Sequence, residues 1–232
     1  MNVLRPLTLK ERVLCLFFPA RCLNCGRAVL PERLFCEDCV PKLPREPFLR
    51  EFPLEERKLT VAAPLLYEED FRQTLRRLKF QEEWGLCQPM ALVMAEAAGS
   101  LSGEHTLVTW VPMSDKKLRM RGYNQSALLG RAVAKELGLP GREVLEQTRE
   151  METQHTLNRP QRADNVRDAY RARSSVRGER ILLVDDIVTT GATLRSCANA
   201  LYQAGAAHVE CLCAASSAFR PGEEVPKDGE TW

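Results

Sequence analysis

Residues Ile181 to Thr193 read ILLVDDIVTTGAT: four aliphatic side chains, two adjacent carboxylates, then small residues with Thr189, Thr190 and Thr193 around Gly191. The aliphatic run is short, β-branched at its ends and bounded by a turn, the pattern of a strand covered on both faces in a parallel sheet. In the following TLRSCANALYQAGA, Leu194, Cys197, Ala198 and Leu201 fall at i, i+3, i+4 and i+7, the stripe of an amphipathic helix. The acids and the loop are therefore expected where a strand's carboxyl end meets a helix amino terminus, the rim at which open α/β sheets hold ligands.

The same alternation extends outward from this stretch. From about Leu59, TVAAPLLY reads as a strand, DFRQTLRRLKF and GLCQPMALVMAEAAG as helices, and TLVTWVP as a strand ending at Pro112. NQSALLGRAVAKELGLP carries Leu129, Val133 and Leu137 on one helical face and is stopped by Gly138 and Pro140. REVLEQ reads as a short strand and HVECLCAA as the last one. Alternating elements imply an α/β fold, a doubly wound and mainly parallel sheet of about five strands. Residues 59–218 form this main domain. The prolines of 45–58 suggest a linker before it, and 219–232 read as a disordered tail.

Thirty-three basic against 31 acidic residues give a net charge of +2, which by itself argues for no polyanion partner. The basic residues cluster locally at Lys116, Lys117, Arg119 and Arg121, and again between Arg149 and Arg180. No apolar run approaches the ~18 residues that span a bilayer, and Val13–Phe18 is too short for a secretory core. The expectation is a cytoplasmic protein without membrane insertion.

Residues 13–44 form a second unit. CLNCGRAVLPERLFCEDC sets Cys22, Cys25, Cys36 and Cys39 as two CxxC pairs ten residues apart, the spacing of two knuckles that close a tetrahedral zinc site. Four protein thiolates leave no position for water, so the zinc is expected to be structural. Its core is expected to be separate from that of the main domain, which should then survive chelation. Cys15, Cys87, Cys197, Cys211 and Cys213 read as small core residues, as Phe71 and Trp110 read as large ones. His105 and His208 read as surface or core residues without partners.

The loop has neither GxxxxGK[ST] nor GxGxxG. It still offers hydroxyls, a glycine and a helix amino terminus to a phosphate. Asp185 and Asp186 would repel that phosphate but suit a vicinal diol or a hydrated magnesium ion. A ribose with a 5-phosphate has both features.

The stretch resembles the phosphoribosyl pyrophosphate signature of type I phosphoribosyltransferases. That resemblance implies that Asp185 and Asp186 hold the ribose hydroxyls and that Thr189, Thr190, Gly191, Ala192 and Thr193 hold the 5-phosphate. Together with VPMSDKKLRMRGYNQS, REMETQHTLNRPQRADNV and the CxxC pairs, the chain resembles the ComF family of competence proteins over residues 13 to 216. This implies a pyrophosphate loop at 113–122, with Arg119 and Arg121 on phosphates and Gly122 in backbone contact. Tyr123, Asn124 and Gln125 would start the helix after it. The family pattern further implies a hood over 149–165 carrying Gln154, Leu157, Arg162 and Asn165.

Three readings stay open. The first is a magnesium-dependent phosphoribosyltransferase of unread acceptor, in which Asp185, Asp186 and Arg121 carry the chemistry. His155, in the polar hood, is read as a surface histidine sooner than as its base. The second is a non-catalytic adaptor of DNA uptake that senses phosphoribosyl pyrophosphate and contacts single-stranded DNA and other competence proteins; no aromatic ladder among the basic residues supports it. The third is a nucleobase salvage enzyme.

Overall fold

The computed structural model describes residues 20–80, 84–148 and 169–217. In chain order the elements are β1 (Phe48–Leu54), β2 (Arg57–Ala63), β3 (Leu65–Leu66), α1 (Glu69–Phe80), α2 (Cys87–Ala98), β4 (Leu107–Trp110) and α3 (Asp115–Arg121). They continue with α4 (Gln125–Leu137), β5 (Leu145–Gln147), β6 (Tyr170–Ala172), β7 (Arg180–Val188), α5 (Ala192–Gln203) and β8 (His208–Ser216). The main sheet has the order β1-β2-β8-β7-β4, with β3 also on β8. Strand β1 is antiparallel to β2, and the pairs β2–β8, β3–β8, β7–β8 and β4–β7 are parallel. The expected mainly parallel α/β sheet is what forms.

Alternation along β7 feeds two cores. Leu182 and Val184 face one side, with α2 and α4; Ile181 and Leu183 face the other, with α5. All four are fully buried, which is why the run contains no polar residue until the rim.

The linker expected at 45–58 is instead mostly strand. Phe52 and Leu54 are buried from β1, and Pro53 is tolerated because β1 is the edge of the sheet, where a missing N–H breaks no ladder on the outer side. The strand expected over Thr60–Tyr67 is divided at Pro64 into β2 and β3. The short strand expected at REVLEQ leaves the main sheet: β5 pairs antiparallel with β6 in a second, two-stranded sheet.

Among the described residues the cysteine module has no core separate from that of the sheet. Leu23, Leu34 and Phe35 are buried in one continuous cluster with Phe71, Leu75 and Leu78 of α1, on the α2–α4 side of the sheet. Each such side chain contributes about 1.5–3 kcal/mol by its burial. Polar contacts fix the docking: Thr74 Oγ1 donates to Asn24 O at 3.0 Å and Arg77 Nη1 donates to Gly26 O at 3.3 Å. Gly26 has φ +73, which favours glycine, and a Cβ there would push aside the Arg77 guanidinium that docks on this turn. The expectation of a separate core is thereby corrected.

Candidate functional site

The acidic pair follows the aliphatic run of β7 and is itself buried. Asp185 is 8% exposed and Asp186 7%. Both are held by the first turn of α4. Ser126 Oγ donates to Asp185 Oδ1 at 2.7 Å, and Gln125 Nε2 donates to Asp186 Oδ2 at 3.0 Å. Asp185 Oδ1 also accepts from the Asp186 backbone N–H at 2.9 Å. Lys79 Nζ, near the end of α1, ion-pairs with Asp186 Oδ2 at 2.8 Å.

The segment RGYNQS accounts for this geometry residue by residue. Arg121 Nη1 donates to Gln125 Oε1 at 2.6 Å. Gly122, at φ +82, ends α3 in the left-handed region that glycine adopts without strain. Tyr123 Oη donates to Leu78 O, tying this turn to the end of α1. Asn124 caps α4 by accepting from the N–H groups of Ser126 and Ala127. Gln125 and Ser126 then project onto the two acids.

Electrostatics follow from the crowding. Burial, reinforced by the charge of Asp186, pushes Asp185 up to about 7, against the opposing hydrogen bonds from Ser126 and the backbone. For Lys79, burial works against the charge. The Asp186 carboxylate and its hydrogen bond outweigh that burial and hold the ammonium above its ordinary value.

Beyond β7 the loop turns at Gly191, φ +71, the N-cap of α5. Thr189 and Thr190 are exposed, while Ala192 and Thr193 are half-buried. Thr190 Oγ1 accepts from Ala192 N at 3.4 Å. A Cβ on Gly191 would lie 2.7 Å from the Phe52 ring, so the loop rests directly on β1. Beside it Arg50 stacks over Phe52 at 4.7 Å and donates to Ser216 Oγ at 3.3 Å.

A family model described as a phosphoribosyl transferase domain matches residues 124–232. The DNA utilization protein YhgH of Salmonella typhimurium is 31% identical over 206 residues, 83% of this chain and 89% of that protein. Competence protein F of Haemophilus influenzae is 22% identical over 222 residues, 84% of this chain and 96% of that protein. The chain belongs to the ComF family. Among solved structures, an adenine phosphoribosyltransferase from Leishmania tarentolae is 16% identical, covers 70% of this chain and 78% of that one, and has a TM-score of 0.37, too distant to carry weight.

In this ComF protein the residues expected to bind pyrophosphate are not in an open loop. Residues 115–121 form α3, capped by Ser114, whose Oγ accepts from Lys117 N at 3.4 Å. Arg119 and Arg121 are therefore about 200° apart around a helix. Arg121 reaches the acidic pair through Gln125, and Arg119 stays exposed. The proposed hood residues Gln154, Leu157, Arg162 and Asn165 lie outside the described residues, as do His155, residues 13–19 and the tail 219–232.

The sequence reading did not single out Lys79, Ser126 or Arg50. Lys79 sits in a helix rich in cations, and nothing in its spacing marks it from Arg76 or Arg77. His105 also has the partner not expected of it: its Nε2 lies 2.9 Å from Glu210 Oε2, which accepts from Ser102 Oγ as well.

The Sγ atoms of Cys22, Cys25, Cys36 and Cys39 lie within 4.8 Å of one another, a group that can hold a metal ion such as zinc. Cys25 and Cys36 are 3.7 Å apart, near the edge of a tetrahedron built on Zn–S bonds of about 2.3 Å. Asn24 Nδ2 is 3.5 Å from Cys39 Sγ, an outer donor of the kind that steadies a thiolate ligand. Among the described residues no helix is long and apolar enough to cross a membrane.

Proposed function

We propose that the rim formed by β7, the threonine loop and the start of α4 binds phosphoribosyl pyrophosphate, and that this protein is of the phosphoribosyltransferase type with a structural zinc in the cysteine module. One observation carries the reading. Two buried carboxylates are followed by a loop of hydroxyls and a helix amino terminus capped by Gly191 without a side chain, and they are linked to two cations, Lys79 directly and Arg121 through Gln125. The carboxylates suit the ribose hydroxyls, the loop suits the 5-phosphate, and the cations suit the pyrophosphate.

Magnesium fits this site only in company with the ligand. Asp185 and Asp186 already accept from Ser126, Gln125 and Lys79, so they do not form a dedicated cage. Magnesium retains waters and prefers substrate phosphates plus one or two carboxylates, a mode these residues allow. When bound it would supply positive charge to the departing pyrophosphate. The chain's own part is to orient the sugar, exclude water below it and present Arg121.

The names of the relatives, a DNA utilization protein and a competence protein, support a role in DNA uptake during natural transformation. A non-catalytic adaptor is the second reading, and α3 favours it: none of its residues is buried, and Lys116, Lys117 and Arg119 stand with Met120, 81% exposed, toward solvent. In that reading single-stranded DNA binding falls steeply with salt.

Calorimetry with magnesium and phosphoribosyl pyrophosphate tests the binding. Asp185→Asn is expected to weaken affinity by roughly 1.5–3 kcal/mol, and unchanged affinity would mean that the sugar is held elsewhere. Pyrophosphate release on addition of candidate acceptors then separates the transferase from the adaptor.

A further inference from the structure

We infer that Lys79 is a ligand-responsive cation, paired with Asp186 in the free protein and transferred to the pyrophosphate when the phosphoribosyl ligand enters. The inference rests on the phosphoribosyl pyrophosphate reading of the site and assigns to it the residue that selects the diphosphorylated ligand.

In the free protein one oxygen of the acidic pair already holds two donors. Asp186 Oδ2 accepts from both Lys79, at 2.8 Å, and Gln125, at 3.0 Å, and Gln125 is in turn held by Arg121. Each carboxylate oxygen accepts about two hydrogen bonds, so a ribose hydroxyl that donates to this same Oδ2 must displace one of them. Lys79 is the one that can move, because its ammonium ends a flexible four-carbon stem, whereas Gln125 belongs to the first turn of a capped helix. Displacement has a cost. The Lys79 side chain is 24% exposed, and a cation withdrawn that far from water needs a new anion.

The ligand can provide that anion on one side only. The 5-phosphate belongs to the threonine loop after β7. Helix α1 packs on one face of the sheet and α5, which follows the threonine loop, on the other, and the end of α1 is joined to the α3–α4 turn by the hydrogen bond from Tyr123 to Leu78 O. A pyrophosphate placed beside Arg121 meets Lys79 there. Ribose 5-phosphate has no group in that position, so it must either leave Lys79 on Asp186 or strand it. The exchange of partners therefore favours the diphosphorylated ligand and penalises the monophosphate. The position of Lys79 is set from outside the site: α1 is held from behind by the cysteine module through Thr74 and Arg77.

The experiment titrates magnesium with phosphoribosyl pyrophosphate, and separately ribose 5-phosphate, into the full-length protein and into Lys79→Met, Lys79→Arg and Asp185→Asn. Lys79→Met is expected to lose about tenfold or more in affinity for phosphoribosyl pyrophosphate while binding ribose 5-phosphate as well as or better than the unaltered protein. Lys79→Arg should retain most of the preference. Should Lys79→Met fail to fold, as judged by its melting curve, Lys79→Gln serves, since it can still donate to Asp186 without charge. An equal change for both ligands, or no change for phosphoribosyl pyrophosphate, overturns the inference and leaves Lys79 as a prop for Asp186. If the unaltered protein binds both ligands but Asp185→Asn binds them unchanged, the assignment of the site itself fails, and binding of neither ligand removes both readings.

Discussion

Asp185 and Asp186 are adjacent in sequence and equally buried, yet their substitution should have opposite consequences for stability. Asp186→Asn leaves the Lys79 ammonium without its anion. The partial exposure of Lys79 reduces the penalty to roughly 1–3 kcal/mol, below that of a fully buried pair. Lys79→Met in the Asp186→Asn background should recover most of it, which chemical denaturation of the two single variants and the double variant will show. Asp185→Asn removes a carboxylate that the fold prefers protonated. Its pKa is raised to about 7 by burial and by Asp186, from an ordinary value near 4. Its contribution to stability is therefore full below about pH 4 and lost as the pH rises through about 7. In Asp185→Asn the fall in stability between those limits should flatten; a slope equal to that of the unaltered protein would contradict the raised value. At this scale the sequence displayed the acids and the threonines, since both lie in one uninterrupted stretch. Lys79, Gln125 and Ser126 were illegible as their partners, because the relation between positions 79, 126 and 185 exists only once three elements have packed.

The threonine loop depends on an element that looked like a tether. Gly191 combines φ +71 with a Cβ direction blocked by Phe52 at 2.7 Å. Gly191→Ala should lose roughly 2 kcal/mol or more, part from backbone strain and part from the clash. Phe52→Ala carries its own cavity cost, but in that background Gly191→Ala should cost less, because only the backbone strain remains, a difference that a double-mutant cycle of denaturation midpoints will show. Equal stability of Gly191→Ala and the unaltered protein would mean that the turn can reorganise. Long elements with a strong period, such as α4, α5, β7 and β8, were legible from spacing alone. Strand β1 was not, because prolines that signal a linker are also allowed at a sheet edge. Helix α3 was not, because it buries none of its residues and so shows no apolar stripe; Ser114 and Gly122, its cap residues, were the available signal.

For the molecule as a whole, the cysteine module and the sheet share one apolar cluster, so metal removal should be felt throughout. A loss of only ~3 kcal/mol would lower the melting temperature by roughly 6–12 °C in a chain of this size. Chelation, or Cys36→Ser, should shift the entire far-ultraviolet transition; a module that melts alone while the sheet transition stays put would refute the coupling. The two CxxC pairs announced the four-cysteine cluster, but no pattern in the sequence could show that Leu23, Leu34 and Phe35 pack with α1. The sheet order has a consequence for how the chain comes to be assembled. Strand β8, the last of the described strands, lies between β2 and β7, with β3 also on it. Among the described residues the early hairpin of β1 and β2 joins the rest of the sheet only through β8. During synthesis, residues 48–63 must wait for residues 208–216 to leave the ribosome, so this hairpin is committed to a partner made long after it.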